Sequence, residues 1–200
     1  NIQVEGVDEG DIIKTDGEYI YTVSDDTLFI IKAYPGKDAE IVSTIKLDGE
    51  SASGIFVNDK YLALFGNKYD YDSYTDDNFA LSPLSGMSFF RVYDLSDKKN
   101  PKQVKEYVFE GNYFQSRMKD DYIYFVTSSS PQYRIMPSPI ILEDGVKRSV
   151  PLDNIYYYGI NYNYPTFVNI HSVNLNSPSD EIDSVSLLVE SNQNMYMSDN

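Results

Sequence analysis

The chain has no cysteine, no tryptophan and a single histidine, His171. Without cysteine there are no disulfide staples, zinc thiolate sites, iron–sulfur clusters or thiol nucleophiles. The lack leaves the compartment open, since exported chains also do without disulfides. No run of about 18 apolar residues occurs, so nothing in this segment reads as a membrane-spanning helix. No signal-peptide pattern is visible, although the chain opens on Asn1 rather than Met, which leaves room for an upstream segment. Positive charge is scarce: 16 Lys and Arg stand against 31 Asp and Glu, a formal net charge of −15. So acidic a surface repels phosphate backbones and argues against nucleic-acid binding. Its plainest consequence is solubility.

What the chain does have is aromatic and β-branched residues. Hydrophobic residues make up 42%, with 19 Tyr and 10 Phe, enough apolar surface to offset the entropy of ordering. These types suit pleated, half-buried surfaces, and no useful window has helical periodicity. One pattern recurs. IIKTDGEYIYTV (12–23) is an apolar pair, a polar turn, then alternating large and small side chains. It returns as IFVNDKYLALFG (55–66), as RMKDDYIYFVTS (117–128) and, cut short, as MYMSDN (195–200). The turn aspartates Asp16, Asp59, Asp121 and Asp199 mark the copies.

Two further strand-like runs follow each of the first three tips: TLFIIKAYP and AEIVSTIKLDG, MSFFRVYDLSDKKNP and KQVKEYVFEG, PTFVNIHSVNLNSP and EIDSVSLLVES. The second unit carries an insertion at 67–86 and the third one at 128–164, both between the second and third strands. With these set aside the period is roughly 40 to 45 residues, the length of one propeller blade. The expected fold is therefore all-β: a β-propeller segment of about three four-stranded antiparallel blades plus the first strand of a fourth. The blades are placed at about 12–48, 54–110 and 116–190, and residues 192–200 start the next. Three blades and one strand cannot close a ring. The remainder of the propeller, or other chains completing the ring, is thus an expected partner.

The stretches VEGVDEGDIIKTDGEYIY (4–21), VYDLSDKKNP (92–101), PSPIILEDGVKRSVPLDNIYYY (137–158) and above all EGNYFQSRMKDDYIYFVTS (110–128) resemble a β-propeller domain family of secreted archaeal and bacterial proteins, described as distantly related to WD40 repeats. Gly10 departs from the pattern, where a small residue such as Ala is expected, a change expected to matter little. The resemblance implies a propeller, an extracellular or cell-surface location, and a larger parent domain of which this is the N-terminal part. It carries over no catalytic residue.

Candidate chemistry is sparse. YDYDSYTDDN (69–78) offers Asp70, Asp72, Asp76 and Asp77, carboxylates that could supply oxygens to Ca2+. The spacing misses the EF-hand pattern, and a solvated acidic loop is the plainer reading. A glycosidase-like carboxylate pair needs rigid positions that such a loop is poorly suited to hold. IYYYGINYNYP (155–165) gathers Tyr156, Tyr157, Tyr158, Tyr162 and Tyr164, rings that can anchor a protein or stack on a sugar. The plainer reading lays them over a blade edge as packing. His171 lies in a strand-like run with no second histidine and no Gly-x-Ser-x-Gly elbow, which reads as structural. Arg117 sits on the edge of the repeat's apolar pattern and needs a carboxylate or carbonyls as partners, expected between blades.

Two functions follow as expectations. The first is a non-catalytic extracellular or cell-surface scaffold for protein or glycan interaction, its binding face built from the two insertions as loops riding on the blades. The alternative is part of a propeller hydrolase or lyase whose site is completed by residues outside this chain, an option kept by fold analogy alone.

Overall fold

A computed structural model describes residues 6–68, 86–131, 138–159, 161–190 and 195–197. In chain order its strands are β1 (Val7–Glu9), β2 (Ile13–Thr15), β3 (Tyr19–Ser24), β4 (Thr27–Lys32), β5 (Glu40–Lys46), β6 (Ser51–Val57), β7 (Tyr61–Lys68) and β8 (Met87–Asp94). They continue as β9 (Lys102–Glu110), β10 (Asn112–Lys119), β11 (Tyr122–Ser129), β12 (Ile140–Glu143), β13 (Val146–Ser149), β14 (Ile155–Tyr157), β15 (Thr166–Asn174) and β16 (Asp183–Val189). Three sheets result. The first blade is β2-β3-β4-β5, the second contains β6-β7-β8-β9, and the third contains β10-β11-β15-β16, each antiparallel throughout.

The hairpin tips owe their shape to side chains that imitate backbone acceptors. Asp16 Oδ1 accepts from the amides of Glu18 and Tyr19 at 3.0 and 2.7 Å, and the Tyr21 hydroxyl donates to Oδ2 at 2.8 Å. In the second blade Asn58 does this work, accepting from Lys60 and Tyr61 at 3.1 and 2.8 Å. The counterpart of Asp16 is thus Asn58 and not Asp59. Tyr19, Tyr61 and Tyr122 open the second strand of each blade.

Period-2 alternation lets the middle blade bury both faces. Leu62 and Leu64 of β7 join Tyr21, Val23, Leu28 and Ile30 of the first blade in one core. Ala63 and Phe65, on the other face, join Ile123, Phe125 and Val173 of the third. Rings dominate this second core: Phe125 stands edge-on to Phe65 and Phe90, with centroids 5.7 and 5.4 Å apart. Such geometry adds to the energy of simple area burial.

Two features differ from the expected plan. The insertion of the third unit is not a loop riding on the blades. Its β12 pairs with β9 and extends the second blade, with β13 outside it, while β14 pairs in parallel with β16 and extends the third. Ile140, Ile141, Leu142 and Val150 are buried by this arrangement, because the outer edge of β9 offers unpaired backbone groups and apolar neighbours to cover. The Asp144–Gly145 turn that makes the β12–β13 hairpin has positive φ at both residues, as its tight turn demands.

The second feature is β1. It pairs with the inner edge of β10 in the third blade, with Glu9 opposite Arg117. Asp11 then bridges to Ile55 of the second blade before the chain enters β2 of the first. One segment therefore ties all three blades. A Cβ at Gly10 would lie 2.7 Å from Phe65 Cζ and 2.9 Å from Ser116 Oγ, so the absence of a side chain there matters a good deal. Of the fourth copy only 195–197 is among the described residues, where the Met195 amide donates to Gln115 Oε1 at 3.1 Å.

Candidate functional site

The tyrosine-rich stretch lies on the outer edge of the third blade. A short 3-10 turn over 152–154 leads into β14, and Asn154 Nδ2 donates to the Ser184 carbonyl at 3.0 Å, seating the strand against β16. Ile155 turns inward onto the aromatic core. Tyr156, Tyr157, Tyr158 and Tyr164 are 55%, 72%, 76% and 82% exposed. Tyr162 has a different role. Its hydroxyl accepts from the Tyr158 amide at 2.8 Å and donates to the Tyr158 carbonyl at 2.9 Å, folding the loop back on itself. Glu190 Oε1 holds the next residue, accepting from the amide and Nδ2 of Asn163 at 2.9 and 3.0 Å. Four rings thus stand in solvent on the end of β14 and the loop after it, which the fifth braces. Such rings present large contact area at low entropic cost.

The carboxylates Asp70, Asp72, Asp76 and Asp77 lie outside the described residues. Among the described residues no group of three or more His, Asp or Glu is placed to hold a metal. His171 faces the second blade, 1% exposed, its ring stacked on Phe109 with centroids 3.9 Å apart and its Nδ1 2.8 Å from Ser184 Oγ. Burial penalises the imidazolium and pushes the pKa down to about 3. Arg117 reaches Glu9 Oε1 at 3.2 Å and the Ser116 carbonyl at 2.8 Å. Its carboxylate partner therefore comes from the neighbouring strand of the same sheet, not from another blade.

Sequence reasoning passed over a chain of alternating charges between the first two blades. Arg91 of β8 donates from Nε to Glu106 at 2.7 Å and from both terminal nitrogens to Glu50 at 2.5 and 2.9 Å; Lys68 closes on Glu50 at 2.7 Å. Burial works against the guanidinium charge, but the two carboxylates outweigh it and raise the Arg91 pKa. The signal was an arginine inside the apolar strand MSFFRVYD, with a glutamate just past the turn LDGE.

Three apolar-cored, four-stranded antiparallel units packed face to face define a β-propeller. The whole chain, residues 1–200, matches the Beta propeller domain family, and the protein belongs to it. It is 30% identical over 128 residues to an uncharacterized protein of Methanocaldococcus jannaschii, a match covering 63% of this chain and 16% of that protein. The chain thus spans a small part of that relative's length. No solved structure matches it.

Proposed function

We propose that the protein is a non-catalytic propeller scaffold, working outside the cell or at its surface, that engages a protein or glycan through the tyrosine edge of its third blade. The observation that carries this reading is the exposure of Tyr156, Tyr157, Tyr158 and Tyr164 on β14 and the loop after it, braced by Tyr162 and Glu190. Large apolar rings left in water on a pre-organised support are the composition of binding hot spots. The buried, neutral His171, committed to Phe109 and Ser184, supports a structural rather than catalytic role for the one imidazole. The outer location rests on the family resemblance, and any Ca2+ bound at the acidic insertion would be an accessory to it.

The scaffold also needs company. On the far face of the first blade Ile20, Phe29 and Ile31 are half-buried while Ile13 and Ile41 are 52% and 59% exposed. The remainder of the ring, or other chains completing it, would cover this face.

The test replaces Tyr157, Tyr158 and Tyr164 together by alanine and measures binding to cell-surface polysaccharide and surface-protein fractions by biolayer interferometry. Binding should weaken by at least about a hundredfold, since three hot-spot rings cost more than about 1 kcal/mol each, with an unchanged far-ultraviolet circular dichroism spectrum. Equal binding by the variant and the parent chain would overturn the proposal.

A further inference from the structure

The charge chain is the floor of a cavity of about 570 Å3 between the first and second blades, bounded by β5, the turn after it and β8–β9. That volume suits a small molecule. The site is separate from the tyrosine edge, which belongs to the third blade.

Its lining decides what kind of molecule. Lys46, Lys68 and Arg91 face Asp48, Glu50 and Glu106, charges of the two signs in equal number. An ionic ligand of either sign meets as many like charges as opposite ones. To take the place of either partner an ion would also have to break the two-point Arg91–Glu50 pair at 2.5 and 2.9 Å, the strong form of a charged hydrogen bond. A neutral ligand with hydroxyl groups has no such cost, because each hydroxyl both donates and accepts. Groups remain to receive it. Glu50 and Glu106 occupy three of the five guanidinium N–H groups of Arg91 among the described residues. The Tyr93 hydroxyl lies against the Arg91 guanidinium and reaches Gln103 Oε1 only at 3.4 Å, a length that leaves the Gln103 amide to bond better elsewhere. Ile45 and Pro101 add apolar wall against which a ring's C–H face can lie.

We infer that this cleft binds a neutral polyhydroxyl molecule, a mono- or disaccharide, whose adjacent hydroxyls bridge Arg91, Glu106 and Gln103. The experiment titrates glucose, galactose, maltose and trehalose into the isotope-labelled chain, with citrate and spermidine as ionic probes, and follows amide shifts by NMR. At least one sugar should give saturable shifts at residues 45–50, 91–93 and 101–106, and the ionic probes should not. Gln103→Ala, at an exposed strand position where substitutions cost little stability, should weaken the sugar about tenfold, the loss of one well-placed hydrogen bond. Absence of saturable shifts with every sugar overturns the inference. So does tighter binding of citrate or spermidine, or sugar binding that Gln103→Ala leaves unchanged.

Discussion

A residue's chemistry here is set by what lies over it. His171 would titrate near its usual value in the unfolded chain, but in the fold it stays neutral down to about pH 3. Between about pH 6.5 and 3 the unfolded state binds a proton that the native state refuses, so stability is full above that window and falls as the pH drops through it. The slope approaches about 1.4 kcal/mol per pH unit, the limit for one proton. Urea melts at pH 7.0 and 5.0 should therefore show a loss that His171→Gln removes, since carboxylates with depressed values titrate lower. A loss of equal size in the variant would place the acid sensitivity elsewhere. The charge chain is a matter of surroundings too: Glu50, 7% exposed at its side chain, lies between Arg91 and Lys68, which bond both of its oxygens. Such pairs secure geometry more than stability.

At the scale of the element, the insertion of the third blade behaves as a clasp. The β12–β13 hairpin is covalently part of the third unit but hydrogen-bonded to the second. The Asp144 amide donates to the Glu106 carbonyl at 2.9 Å, and the Glu106 amide donates to Asp144 Oδ1 at 2.9 Å. Lys105 adds contacts to Glu143 and Asp144 at 2.5 and 2.9 Å. Ile141 drives its side chain into the core between the second and third blades. Ile141→Ala should cost about 2–5 kcal/mol in chemical denaturation, the range for buried aliphatic truncation. A cost below about 0.5 kcal/mol would mean that the hairpin is a loose appendage. The practical consequence is that binding cannot be assigned to this insertion by deleting it, since deletion strips two sheets of their outer strands. Substitution of the exposed rings is the cleaner instrument.

For the molecule as a whole, the first and third blades each have one covered face and one that meets no further blade among the described residues. On the third blade Val168, Ile170 and Leu187 of β15 and β16 remain half-buried, as do Ile20, Phe29 and Ile31 on the first. Apolar sheet faces of this kind associate. The charge of −15 opposes contact between copies, and salt screens that opposition within about 10 Å at 0.1 M. The isolated chain should therefore self-associate more as sodium chloride is raised, as seen by sedimentation velocity. Ile13→Ser with Ile41→Ser should shift it back toward monomer. Association that falls with salt would point instead to charge pairing between copies.

Much of the fold was legible because its signals are local. Alternation in IVSTIKL or TFVNIHSVNL marks a strand whatever surrounds it, and Thr-Asp-Gly-Glu or Asn-Asp-Lys makes a turn from its own side chains. Of the site, the tyrosines could be read as exposed or packed, and only the parallel seating of β14 beside β16 left four rings in water and turned Tyr162 into a brace. The Asp-Gly pair in ILEDGVKR was a hairpin signal overlooked within the insertion. The sequence by itself determined the strands, the turns, the repeat and the acidity, since each depends on neighbours a few residues away. Tertiary structure alone decided that β12 joins the second blade, that β1 lies along the third, that Gly10 has no room for a methyl group, and that Arg91 finds Glu50. Those outcomes depend on which strand edge is open and which apolar face is uncovered, conditions that arise only when distant segments have already met.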